Sequence, residues 1–89
     1  MADVRFILPY NKIAGVDRVK IHAENCRQLC EKIIEKYGEG MSFLLDEDGN
    51  VSQNITMFYN DRNIYTLQGS DTLLEEDAEI IIMPHFHMA

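Results

Sequence analysis

The chain has no tryptophan, two cysteines, two prolines and three histidines among 89 residues. It is also short of positive charge, with 8 Lys and Arg against 15 Asp and Glu, a formal net charge of −7. That balance argues against a nucleic-acid binder, because phosphate recognition needs clustered bases. It also disfavours an anionic membrane surface. Long hydrophobic runs are absent. The densest, Ile80-Ile81-Ile82-Met83, falls far short of the roughly 18 residues a spanning helix needs. The opening Met1-Ala2-Asp3-Val4-Arg5 lacks the pattern of a secretory leader. A cytoplasmic protein is expected.

What is present is one domain's worth of chain. Apolar residues make up 46%, too many for a disordered segment. Residues 1–36 hold 7 bases and 5 acids, whereas residues 37–89 hold 1 base and 10 acids. The ordinary meaning is a solubilising surface; the sharper one is an acidic face that steers the protein onto a basic partner. Cys26 and Cys30 are four apart in a helical stretch, which is poor disulfide geometry and no metal site alone. They read as reduced core residues. Cys26 could fall in the first helical turn, where the dipole favours thiolate.

Val4 to Leu8 reads as a strand stopped by Pro9, then a loop over residues 11–15 closing at Gly15. Arg18 to His22 alternates polar and apolar as a half-buried strand does, and should pair antiparallel with the first. Asn25 is a good N-cap, with Gln28 in capping-box position. Cys26, Leu29, Cys30, Ile33, Ile34 and Tyr37 then fall on one helical face, and Gly38 closes the helix. Ser42 to Leu45 reads as a short strand. Asp46-Glu47-Asp48-Gly49-Asn50 is a turn, since its glycine comes too early for a calcium loop and the closing glutamate is missing. Asn54 to Tyr59 is a strand, 60–63 a turn, 64–67 a short strand, and 69–72 a further turn, possible as a single helical turn. Glu79 to Met83 is apolar at both parities, which marks a central strand.

A central last strand parallel to the first, with one helix between them, is the ubiquitin-like β-grasp arrangement: an α+β fold with a mixed sheet of four to five strands and one main helix. The helix stripe Leu29, Cys30, Ile33 and Ile34 should pack on Val4, Phe6, Leu8, Ile80 and Ile82. By parity Ile81 and Met83 then point to the open face, and Ile7, in phase with Arg5, shares it. They would form an apolar patch on an acidic surface, suited to a partner or to a homodimer.

The stretch Asn60-Asp61-Arg62-Asn63-Ile64, followed by Leu67-Gln68-Gly69-Ser70-Asp71-Thr72 and the acidic run into Ile80 and Pro84, resembles the small sulfur-carrier proteins. These are the small subunit of molybdopterin synthase and the sulfur carrier of thiamine synthesis. The resemblance implies a domain over 1–84 and a tail, Pro84-His85-Phe86-His87-Met88-Ala89, that docks into partner enzymes. The partners it implies are a ubiquitin-activating-type adenylating enzyme and a larger synthase subunit. No bound cofactor is implied; ATP would be the partner's substrate. Family members carry a terminal Gly-Gly where Met88 and Ala89 stand in this chain. Asp61 and Asp77 stand at turn positions where glycine is common. The glycines have a physical role, since a tail threading a narrow channel has no room for Cβ atoms. The second reading is therefore a β-grasp binding or assembly module without transfer chemistry. His85 and His87 face one way in an extended tail. They would bind a metal only with a third ligand, and the sequence places none nearby. No nucleophile–base pair or phosphate loop suggests a self-contained enzyme.

Overall fold

The computed structural model describes residues 1–85. Its chain order is β1 (Ala2–Phe6), α1 (Tyr10–Ala14), β2 (Arg18–Ile21), α2 (Cys26–Tyr37), β3 (Ile55–Tyr59), β4 (Arg62–Asn63) and β5 (Glu79–Pro84). Short 3-10 turns fill 39–44, 64–66 and 69–71. The sheet order is β2-β1-β5-β3-β4. As expected, β5 is central and runs parallel to β1, which pairs antiparallel with β2. On its other side β5 pairs antiparallel with β3.

The helix forms where its stripe and caps predict. The Asn25 carboxamide accepts from the Gln28 amide at 2.8 Å. The Gln28 side chain reaches back one residue further than a capping box, accepting from the Glu24 amide at 2.7 Å. Both bonds satisfy amides near the helix start that have no partner within the helix. Cys26, Leu29, Cys30 and Ile33 are buried on the sheet, and Ile34 and Tyr37 pack at the margin. They meet Val4, Phe6, Ile80 and Ile82, all essentially inaccessible. The Phe6 and Tyr37 rings meet edge to face.

Five expectations are corrected. Leu8 is exposed rather than core: β1 ends at Phe6, and beyond that point strand parity no longer aims the side chain. Residues 10–14 form a helical turn rather than a loop, with half-buried Tyr10 and Ala14 four apart on one face and Gly15 at φ 79° as its cap. The 42–45 strand is instead the end of a 3-10 segment, which buries Met41 and Leu44 three apart. The 64–67 strand is a 3-10 turn, started by the Asn63 side chain accepting from the Tyr65 amide at 2.9 Å. The 60–63 turn is narrower than expected. Only Asn60 and Asp61 form it, at φ 47° and 69°, between paired Tyr59 and Arg62. Such positive angles at both positions suit a two-residue hairpin loop. Among the described residues, no helix is long and apolar enough to cross a membrane.

Candidate functional site

The strand register decides which side chains share the sheet face away from α2. Arg18 pairs with Arg5, Arg5 with Ile81, Ile81 with Phe58, and Phe58 with Asn63. Paired residues lie on one face, so these five form a row across all five strands. Met83 pairs with Thr56 in the next row. Ile7 follows β1 and donates its amide to the Ile82 carbonyl at 3.0 Å. Its parity with Arg5 puts it beside the same row. Ile7, Ile81, Met83 and Phe58 are all half-buried.

Sequence parity thus identifies Ile7, Ile81 and Met83 as one face, and the structure brings them together. Arg5 lies there too, as its parity with Ile7 predicts, and Phe58 and Arg18, which the sequence reading missed, join them. Arg18 depends on the β1–β2 register, which sets it opposite Arg5. Phe58 depends on the β3–β5 register, which no local pattern fixes. The charge of this face also differs from expectation. Acids sit at one end, where Asp3, Glu79 and Asp61 line a cleft with Arg5 and Arg18. The apolar residues therefore have two arginines on one flank rather than a wholly acidic surround.

The chain leaves this face at the end of β5. Pro84 pairs with Ile55 as the last residue of the strand. Proline lacks an N–H to extend a ladder, so it fits a strand's end. His85 is exposed, with its Nδ1 3.4 Å from the Thr56 hydroxyl. A shallow groove beside it is lined by Gln53, Thr56, Asn63, Tyr65 and His85. The Tyr65 hydroxyl there points inward to the Ser52 carbonyl at 2.9 Å. Phe86, His87, Met88 and Ala89 lie outside the described residues. Among the described residues, no cluster of three His, Cys, Asp or Glu side chains could hold a metal.

The cysteines lie on the other side of the sheet. Burial pushes the Cys26 thiol up to about 11 and Cys30 further still, the latter also raised by Cys26 and Glu31. Desolvation outweighs the helix-dipole effect that could have favoured thiolate at Cys26.

The helix crossing one face of a mixed five-strand sheet defines a ubiquitin-like β-grasp protein. No protein-family model and no curated protein matches the sequence. Solved structures do match, over nearly the whole chain. A chain of the BexX/CysO complex of Amycolatopsis orientalis is 12% identical, with a TM-score of 0.86 and full coverage of both chains. Small archaeal modifier protein 1 of Methanosarcina acetivorans is 22% identical at a TM-score of 0.84, covering 99% of this chain and 95% of its own. A putative molybdopterin converting factor subunit 1 from Pyrococcus furiosus is 20% identical at 0.75, covering 96% and 97%. The last is the type of protein that the 60–84 motif resembles.

Proposed function

We propose that this chain is a cytoplasmic, sulfur-carrier-type β-grasp protein, a carrier or accessory subunit rather than an enzyme. It docks onto an adenylating or sulfur-transfer enzyme through the open sheet face and presents the residues after Pro84 to that enzyme's site. The observation that carries this reading is β5. One strand both supplies Ile81 and Met83 to the open face and leads directly into the tail. A partner that grips the face is thereby placed to receive the tail. The solved BexX/CysO complex supports partner docking as a use of this fold.

In the carrier reading, a carboxylate oxygen at the end of the tail attacks the α-phosphorus of ATP in the partner and pyrophosphate leaves. A sulfur nucleophile then displaces AMP to give the thiocarboxylate. This chain contributes the tail and the docking face that positions it. Met88 and Ala89, where carriers have their glycine pair, favour the second reading, a binding or assembly module without transfer. The experiment is calorimetric titration of the chain into the adenylating enzyme of its own organism. Binding is expected, weakened about ten-fold or more by Ile81→Asp and comparably by deletion of 85–89. No binding, or binding that ignores both changes, overturns the proposal.

A further inference from the structure

A second surface lies at the opposite margin of the sheet from β4, and it does not involve the tail. β2 is an edge strand. The Phe6 amide donates to the Asp17 carbonyl at 2.9 Å, which sets the phase of the β1–β2 ladder. In an antiparallel pair hydrogen-bonded and non-hydrogen-bonded positions alternate. Val4–Val19 and Ala2–Ile21 are therefore the bonded pairs, and Arg18 and Lys20 turn their N–H and C=O outward. No described group takes these four backbone atoms. Such an edge is a template for another strand.

The surroundings of this edge specify what could add to it. On the helix side a groove runs between β2 and α2, lined by Lys20, Ile21, Lys32, Glu35 and Lys36. Ile21 is nearly buried at its base. The methylene stems of Lys32 and Lys36 offer apolar walls below charged heads. Lys32 is fixed by donating to the His22 carbonyl. On the other side, Arg18 and Lys20, paired with Arg5 and Asp3 and both exposed, belong to the open face. Basic side chains thus flank the edge on both sides, beside Glu35 in the groove and Asp3 opposite Lys20 on the open face, in a chain whose net charge is −7. A second copy is a poor occupant, because pairing two β2 strands sets Arg18 and Lys20 against themselves, and like charges opposite one another destabilise a ladder.

We propose that the β2 edge and the β2–α2 groove bind an extended acidic peptide of a partner protein by strand addition. Backbone bonds to Arg18 and Lys20 supply the anchor. An apolar peptide side chain fills the groove over Ile21, and flanking carboxylates meet Lys32 and Lys36 on one side and Arg18 and Lys20 on the other. This goes beyond the carrier reading and stands or falls separately from it.

The probe is a short synthetic peptide with a valine–isoleucine core and a run of aspartates, titrated into the full chain and followed by amide NMR. Shifts are expected at residues 18–22 and along Lys32 to Lys36, with slowed exchange of the Arg18 and Lys20 amides. Lys20→Pro removes one outward N–H, which an edge strand tolerates. It should bind about ten-fold more weakly than Lys20→Ala, which lacks the same charge. Lys36→Glu should weaken binding by a similar factor, and added salt should weaken it too. Absence of any shift at millimolar peptide, shifts centred on Ile81 instead, or equal binding of a lysine-flanked peptide overturns the proposal. So does equal affinity of the proline and alanine variants. If Lys20→Pro does not fold, unchanged affinity of Lys36→Glu overturns it.

Discussion

Replacing Ile33 by alanine tests the core on which both surfaces are built. Ile33 is fully inaccessible, on the α2 stripe between Leu29 and the helix end. The helix packs against the sheet on one side and the 39–44 turn on another, so the walls around a truncated side chain have little freedom to collapse. A loss toward the middle of the usual range for such truncations follows, about 3–4 kcal/mol. A domain of this length has of the order of 4–13 kcal/mol in total, so the variant should lose a large share of its stability and about 12–30 °C in Tm. Ile34, its neighbour at the margin, is only half-buried, and Ile34→Ala should cost about 1–2 kcal/mol. Urea unfolding followed by far-ultraviolet circular dichroism measures both, and an unchanged m-value confirms that the same surface is exposed. Equal losses for the two variants, or a loss under about 0.5 kcal/mol for Ile33→Ala, would refute the packing described.

Ile81→Asp should keep the fold, because the open face is half-exposed; a Tm drop as large as that of Ile33→Ala would mean that this face is core. The native thiols should resist alkylation at neutral pH, since burial holds Cys26 protonated up to about 11 and Cys30 beyond. Their folded values lie above the unfolded one, near 9.0. The stability they contribute is therefore complete below that pH and falls as pH rises through about 11. Rapid modification of the folded chain at neutral pH would contradict this. Asp61 at φ 69° occupies a conformation that glycine adopts without penalty, so Asp61→Gly should stabilise by about 0.5–1 kcal/mol in urea unfolding; a loss would mean that the aspartate side chain holds the turn.

Much of this architecture was legible because two segments carry unambiguous periodicity. The stripe from Cys26 to Tyr37 between Asn25 and Gly38 has only a helical solution. The run Ile80-Ile81-Ile82, apolar at both parities, fits a strand covered on one face and patch-forming on the other. The segments that misled are short ones, where a few apolar residues fit two periods equally well. Phe43-Leu44-Leu45 looks extended in isolation, whereas Met41 and Leu44, three apart, carry the signal of the 3-10 turn that forms. Asn63 likewise announces the turn at 64–66, through a side chain that bonds the backbone two residues on. The open face was legible only in part. Alternation gives Arg5, Ile7, Ile81 and Met83, but the company of Phe58 and Arg18 depends on register between strands. The β2 edge has no sequence signature at all, because it depends on which strand lacks a second neighbour.

The tail reading is tested most directly by pyrophosphate release when the chain, with ATP, meets the adenylating enzyme of its own organism. The native chain should support little release, because the Met88 side chain must pass a channel suited to glycine, and a misplacement of about 1 Å can cost 100-fold in rate. Met88→Gly with Ala89→Gly should raise release and yield the thiocarboxylate mass when sulfur is supplied. Failure of both forms would contradict the carrier reading, leaving a likeness of fold without a carrier's partner. Efficient turnover of the native chain would show that transfer does not require the glycine pair, and would contradict the steric argument at Met88.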